Sequence, residues 1–361
     1  MANPPGQTSD RTAKSEILNY YQSHRLFRDR YRVIKKLGQG GFGVTYLAQN
    51  ATLPGSPHCV IKQLCPKAGS ELSLERAKVR FRREARVLAN LGSHSQIPQL
   101  LDYFTAGGEF YLVQDYIHGE TLAQEVRRSG RLTEAQVKYF LREIIPVVRF
   151  VHRNRVVHRD IKPPNIIRSE RDRRLVLIDF GAVREFLSDV DDGGAMQAPA
   201  TQFVGTPGFA PPEQLALRPC YASDIYALGM TSLYLLTART PIEFEQDPNT
   251  GVIRWHHTVT VSPHLTTVLD KMLMPDAQDR YTTIDGLERA LELEPHLEVL
   301  ASCMNTRDRP FVDDPGAQAN LPTDSYLTPI QREAQAIRKW RTKRSFDRGQ
   351  QGRSAGPVSL P

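Results

Sequence analysis

The feature that most constrains the fold is a change of pattern at Gly119. Upstream of it, from Tyr31 onward, short runs of β-branched and aromatic residues are broken by glycines, which is typical of antiparallel strands. Downstream of it, apolar residues recur mostly at helical spacing. A strand-rich part followed by a helical part predicts an α+β fold with a small β-rich lobe and a larger helical lobe.

The same patterns predict individual elements. The predicted strands cover residues 31–37, 44–49, 58–63 and 110–114. One helix is predicted among them, over 75–91, and further helices follow Gly119, over 121–128, 133–153, 223–236, 265–274 and 284–293. No run reaches the ~20 apolar residues of a membrane span, so none is expected.

Residues 158–165 combine, within one short run, the groups that phosphoryl transfer requires. Asp160 can accept a proton from an attacking hydroxyl, and Lys162 can neutralise a phosphoryl group in flight. The amide of Asn165 can hold a divalent cation. Packing alone does not explain such a run.

A glycine-rich run, residues 38–43, lies between two predicted strands. A dinucleotide-binding fold would need a helix that starts at the last glycine, and here a strand continues instead. The run therefore predicts a hairpin whose N–H groups lie over nucleotide phosphates. The alternative is an ordinary glycine hairpin.

Three more charged residues fit a nucleotide site. Lys62 ends an apolar strand, where a cation is costly unless it meets an anion such as a phosphate or Glu84 on the following helix. Asp179 follows the apolar run 175–178, which delivers its carboxylate to a strand end that suits Mg²⁺. The alternative makes Lys62 and Glu84 solvated surface residues.

Taken in order, these motifs resemble those of the protein kinase superfamily, specifically the bacterial eukaryotic-like serine/threonine kinases. The residues of the glycine run resemble those of cyanobacterial members. The resemblance covers residues 31–297, with a small lobe at 31–114, a hinge at 115–119 and a helical lobe at 120–297. Residues 1–30 are then an amino-terminal extension. Residues 298–361 form a basic tail in which we expect little fixed structure.

The resemblance implies an ATP- and Mg²⁺-dependent enzyme, with Mn²⁺ as an alternative metal, that phosphorylates serine and threonine hydroxyls of proteins and autophosphorylates in signalling. The implied catalytic residues are Asp160, Lys162, Lys62 and Glu84. The implied nucleotide-binding residues are Gly38, Gln39, Gly40, Gly41, Phe42, Gly43, Thr45, Lys62, Asp115 and Ile117. The implied metal ligands are Asn165 and Asp179.

Residues 205–213 resemble the segment that closes a kinase activation loop. The resemblance implies that Glu213 pairs with Arg280, that Asp224 braces the catalytic-loop backbone, and that the Thr206 hydroxyl bonds near Asp160 and Lys162. We also expect a regulatory phosphate between residues 179 and 213, at Thr201, where it would meet Arg159. Ser188 is the second candidate for the phosphate. The alternative is constitutive ordering, in which the acidic segment 188–199 itself meets Arg159.

The sequence departs from the family pattern without losing a catalytic group. Thr45 stands where a valine is usual, Pro211 replaces an alanine, and Tyr226 replaces a frequent tryptophan. Two alternative functions of the kinase-like region are less favoured. A pseudokinase-type nucleotide-binding signalling scaffold is disfavoured by the intact charged residues, and a small-molecule kinase is disfavoured by the 205–213 segment.

Composition bears on partners and location. The net charge of +7 reflects basic residues concentrated near the carboxyl end. With little aromatic interleaving, that tail predicts a solvated segment, and no nucleic-acid partner is expected. The alternative is a tail that binds nucleic acid or an anionic membrane. The four cysteines lack C-x-x-C spacing, and the first residues lack an apolar signal region, so we expect reduced thiols and a cytoplasmic protein whose partners are its protein substrates. The oligomeric state is not predicted.

Overall fold

The computed structural model describes residues 17, 25–39, 43–64, 71–185 and 205–294. Several predictions lie outside the described residues: the glycine-loop residues Gly40, Gly41 and Phe42, the phosphorylation site Thr201, and the tail.

The amino-terminal lobe is built on a five-stranded antiparallel sheet with the order β1-β2-β3-β5-β4. Its strands are β1 (Tyr31–Gln39), β2 (Gly43–Asn50), β3 (His58–Leu64), β4 (Leu100–Ala106) and β5 (Glu109–Asp115). Helix α1 (Glu71–Leu91) lies between β3 and β4 in the chain and buries Phe81 and Leu88 in the main core. The register sets Lys62 of β3 opposite Thr45 of β2 and Leu112 of β5, near the middle of the sheet.

A second, aromatic core lies within this lobe. Phe27 is fully buried and pairs through its backbone with Tyr31. Its ring lies 4.8 Å from that of Tyr111 and 5.8 Å from that of Phe104. Ile17 is buried in the same cluster. Residues upstream of the predicted start of the lobe therefore contribute to its packing.

The carboxyl-terminal lobe is mainly helical. Its helices are α2 (Leu122–Ser129), α3 (Glu134–Arg153), α4 (Pro212–Leu215), α5 (Tyr221–Thr237), α6 (Pro263–Met272) and α7 (Ile284–Glu292). Thr121 and Thr133 form capping boxes that satisfy the free N–H groups at the starts of α2 and α3. Helix α5 is buried along most of its length, as expected for an apolar helix at the centre of a lobe.

Short strands and turns carry the chain between these helices. The strands are β6 (Gly119–Thr121), β7 (Val156–Val157), β8 (Ile166–Ser169), β9 (Leu175–Leu177), β10 (Arg184–Glu185), β11 (Glu245–Gln246) and β12 (Ile253–Arg254). A hairpin formed by β11 and β12 follows α5, and the buried Trp255 just beyond it donates its indole N–H to Asp270 at 2.9 Å.

The predicted fold class is confirmed: a β-rich lobe precedes a helical lobe. Each predicted strand and helix is present with ends that differ by a few residues. Strand β4, helix α4, the short strands β6, β7, β8 and β10, and the β11–β12 hairpin were not predicted. Among the described residues, no helix has the length and apolarity to cross a membrane.

Candidate active site

A cleft of about 320 Å³ lies where the two lobes meet. Strands β2 and β3, helix α1 and the loop 158–165 line it. Seven of the predicted site residues contribute to its walls, namely Gly43, Thr45, Lys62, Glu84, Asp160, Lys162 and Asp179.

Lys62 lies between two carboxylates. Its Nζ is 2.5 Å from Oε1 of Glu84 and 2.9 Å from Oδ1 of Asp179. Burial alone would lower the pKa of the Lys62 ammonium, but Asp179 and Glu84 raise it above its ordinary value. The contact predicted between Lys62 and Glu84 is therefore present, and the lysine is charged at neutral pH.

The two carboxylates differ because their surroundings differ. The nearby ammonium of Lys62 lowers the pKa of Asp179 to about 2, whereas burial raises the pKa of Glu84. Asp179 has a left-handed backbone with φ of 67° and opens the turn Phe180–Ala182. A Cβ at Gly181 would come within 3.2 Å of Glu84 Oε2, so a glycine there lets the turn approach α1.

The carboxylate of Asp160 is held on three sides. The Thr206 hydroxyl donates to Oδ1 at 2.7 Å, and Lys162 Nζ lies 2.8 Å from Oδ2. The Asn165 amide nitrogen donates to Oδ2 at 2.9 Å. Lys162 also donates to the Thr206 hydroxyl at 2.6 Å, which confirms the predicted contact of Thr206 with both residues.

The backbone of the loop is fixed from helix α5. The fully buried Asp224 accepts the N–H of His158 at 2.9 Å and the N–H of Arg159 at 2.8 Å. Burial opposes ionisation of Asp224, but the hydrogen bond from His152 and the other donors lower its pKa below the ordinary value. Asp224 thus braces the loop as the resemblance implied.

Helix α4 is fastened to the helical lobe by an ion pair. The Arg280 guanidinium donates to both carboxylate oxygens of Glu213, at 2.7 and 2.8 Å. It also lies 5.0 Å from the centroid of the Tyr226 ring, which is a cation–π contact. The pair between Glu213 and Arg280 is therefore confirmed.

Arg159 lies in a basic environment. Its side chain is buried, and within the described parts of the chain its Nε and Nη2 have no hydrogen-bond partner. Burial, as the main cause, and the nearby charges of Arg184, Arg80 and Arg83 together lower the pKa of Arg159 to about 10. An anion beside Arg159 would offset the cost of burying its charge and the repulsion by the neighbouring arginines.

The nucleotide-binding candidates are distributed around the sheet. Gly38 pairs with Thr45 and Gln39 pairs with Val44, so both precede the loop at the end of β1. A Cβ at Gly43 would meet the Gln63 carbonyl oxygen at 2.0 Å, so only glycine fits there.

The hinge begins where β5 ends. The Asp115 N–H donates to the Gln99 carbonyl at 3.0 Å. A backbone contact from Asp115 to a ligand must therefore use its carbonyl. Ile117 lies two residues further, between β5 and β6.

Sequence reasoning missed some residues of this site. Arg80, Arg83 and Arg184 were not predicted to surround Arg159, because residues so far apart in sequence show no common pattern. The role of Gln214, described below, was not predicted either. The Pro-Glu-Gln run gives only its position after Glu213.

Known proteins resemble the chain over most of its length. The family described as protein kinase domain matches residues 31–292. Serine/threonine-protein kinase B of Synechocystis is 48% identical over 266 residues, covering 73% of this chain and 46% of that protein. Serine/threonine-protein kinase PknA of Nostoc is 44% identical over 271 residues, covering 74% of this chain and 48% of that protein. The chain thus spans about half the length of these relatives.

Proposed function

The chain belongs to the protein kinase family, in the bacterial, cyanobacterial-like serine/threonine branch, and we propose that it transfers the γ-phosphoryl group of ATP to serine and threonine hydroxyls of proteins. One observation carries this proposal. The charged pair of Lys62 and Glu84 and the carboxylate of Asp160 with Lys162 face the same cleft.

Each side chain has a role that follows from its charge and contacts. Lys62, held by Glu84, pairs with the α- and β-phosphates of ATP. Asp160 orients the acceptor hydroxyl and accepts its proton, while Lys162 offsets the negative charge of the transferred phosphoryl group. Catalysis then comes mainly from positioning and electrostatic stabilisation in a site that is already organised.

The metal site follows from donor chemistry. Asn165 commits its amide nitrogen to Asp160, which leaves its amide oxygen as the ligand atom, and Asp179 supplies a carboxylate that stays ionised. Hard oxygen donors of this kind suit Mg²⁺. When bound, the ion would neutralise charge on the β- and γ-phosphates. Mg²⁺ as the ion, with Mn²⁺ as the alternative, remains a prediction.

The nucleotide site is proposed to extend along the glycine-rich run, from Gly38 to Gly43, with Thr45 beneath the adenine and backbone groups of Asp115 and Ile117 at its edge. The position of Thr45 opposite Lys62 in the sheet supports this arrangement. We also propose that the chain phosphorylates protein substrates, acts in signalling and is located in the cytoplasm.

The experiment that tests the function measures phosphoryl transfer directly. The purified chain is incubated with labelled ATP, Mg²⁺ and a panel of serine- and threonine-containing peptides, and the modified sites are mapped. We expect label on serine and threonine of the peptides and of the protein itself. Nucleotide binding without any transfer would favour the alternative of a signalling scaffold.

A further inference from the structure

The peptide group that precedes Asp160 is held by a side chain outside the catalytic loop. Gln214, on helix α4, is 1% exposed, and its Nε2 donates to the carbonyl oxygen of Arg159 at 2.7 Å. A carbonyl only accepts hydrogen bonds, so the amide nitrogen must be the atom that faces it. The bonded carbonyl belongs to the peptide link between Arg159 and Asp160.

This peptide group is a place where the backbone needs support. Arg159 has a φ of 69°, in the left-handed region that residues other than glycine rarely adopt. Its N–H is fixed by Asp224 at 2.8 Å, and its C=O is fixed by Gln214. The two ends of one strained residue are thus held by two different helices, α5 and α4.

Helix α4 is itself immobilised. Glu213, the residue before Gln214, bonds to Arg280 and accepts the Ser223 hydroxyl at 2.7 Å. Gln214 therefore links helix α4, through the Arg159 carbonyl, to the peptide bond that precedes the proposed base Asp160.

We infer that Gln214 is a positioning residue for phosphoryl transfer, which acts by donating a hydrogen bond to the Arg159 carbonyl and so fixes the orientation of Asp160. The inference rests on the proposed kinase activity. The hydrogen-bond donor of Gln214, and not only the shape of its side chain, then supports the rate of phosphoryl transfer.

Two substitutions separate donor chemistry from packing. Gln214→Met keeps the length of the side chain and removes the donor. Gln214→Glu keeps the shape but donates only when its carboxyl is protonated, and burial against a carbonyl raises the pKa of such a carboxyl. Leu215→Met, a neighbouring change at a residue that is 54% exposed, is the matched control.

The test compares steady-state rates from about pH 6 to pH 9, together with melting temperatures. We expect kcat of Gln214→Met to fall at least about tenfold with KM for ATP unchanged, and Leu215→Met to match the wild type. The ratio of Gln214→Glu to wild-type kcat should rise as the pH falls. A ratio that is constant with pH would overturn the inference, even if both variants are slow, because a packing defect does not titrate in this way.

Hydrogen–deuterium exchange provides a readout that does not depend on activity. We expect faster exchange in a peptide covering residues 156–163 of Gln214→Met, and no change in Leu215→Met. Unchanged exchange in Gln214→Met would overturn the inference. A wild-type protein with no transfer activity would count against the proposed function, whereas active wild type with equally active Gln214→Met would count against the inference alone.

Discussion

At the scale of single residues, Lys62 shows how a site can hold a buried charge. An ammonium in this position is costly without anions, and Glu84 and Asp179 supply two. Removing Lys62 would leave Glu84 buried without its partner. Since burial already raises the pKa of Glu84, the carboxyl can take up a proton instead of disrupting the core.

The first prediction follows from this reasoning. Lys62→Met and Asp160→Asn should each lower kcat by at least about a hundredfold, because one removes a phosphate-binding cation and the other removes the base. Both proteins should keep their melting temperature within a few degrees. Matched controls are Lys35→Met at an exposed position of β1 and Asp172→Asn in an exposed turn. Transfer by Asp160→Asn within tenfold of wild type would contradict the assigned base.

The second prediction concerns Arg159 and a phosphate at Thr201. A phosphate brings ~1.5 to 2 negative charges and would relieve the repulsion among Arg159, Arg184, Arg80 and Arg83. Phosphatase treatment should therefore lower the initial rate of the wild type severalfold. Arg159→Met and Thr201→Ala should both have low rates that phosphatase does not change.

Ser188→Ala is the control variant for this prediction. It should behave like the wild type. Unphosphorylated Arg159→Met should melt at the same temperature as the wild type or above it, because the change removes a buried, repelled cation. Equal rates in phosphorylated and dephosphorylated wild type would rule out the switch.

Residue types were easier to predict from sequence than residue contacts. The run around Asp160 names its groups through their chemistry, and the strand before Asp179 predicts where that carboxylate lies. The left-handed φ of Arg159 and the donor from Gln214 could not be predicted, because they depend on how helices α4 and α5 meet the loop.

At the scale of elements, helix α3 shows that burial of an apolar face can outweigh the helix-breaking tendency of a single proline. Pro146 lies inside it, and an interior proline costs about 3 kcal/mol. The helix buries eight apolar residues, each worth about 1.5–3 kcal/mol for a fully buried large side chain. Burial of the apolar face therefore outweighs the cost of the proline. Because Pro146 is exposed, water can reach the backbone carbonyl that the proline leaves without an N–H partner.

The elements that sequence missed are those with weak periodicity. Every residue of strand β4 keeps part of its surface exposed, and the strand contains a register shift between Leu100 and Asp102. Strands β11 and β12 have two residues each, too few to show alternation. Such elements depend on neighbouring strands, which a single sequence does not display.

The third prediction concerns the segment before β1. Phe27→Ala should lower the free energy of unfolding by about 3–5 kcal/mol, because its ring is fully buried against Tyr111 and Phe104. Urea denaturation measures the change. Leu53→Ala, at a residue 46% exposed in the β2–β3 turn, is the control and should change stability by less than about 0.5 kcal/mol. A small effect of Phe27→Ala would show that the aromatic core is not needed.

At the scale of the whole molecule, the described residues share one main core that includes α1 of the small lobe and the helices of the large lobe. Helix α7 closes this core with Ile284, Leu287 and Leu291. It also offers Asp285 and Glu288 as ion-pair partners to Arg149 of helix α3. The predicted domain end at residue 297 lies just beyond these contacts.

The fourth prediction uses two truncations on either side of that boundary. Removing residues 324–361 should leave kcat on a generic peptide within about twofold of the full chain, because the family match ends at residue 292. Removing residues from 284 onward should abolish cooperative unfolding, since it deletes a buried helix face. A severalfold loss of rate in the shorter truncation would place catalytically relevant residues in the tail.

The chain has two tryptophans, and Trp255 belongs to the helical lobe, so its fluorescence can report on that lobe. Trp255 is buried and hydrogen-bonded to Asp270, so its indole fluoresces in a dry, fixed environment. In a Trp340→Phe protein it would be the sole indole, and a red shift of its emission would report exposure in the large lobe alone. The aromatic core around Phe27 contains tyrosines and no tryptophan. Unfolding of this core would therefore not change the tryptophan fluorescence directly. Comparing the indole signal with circular dichroism would then show whether the two lobes unfold together or one after the other.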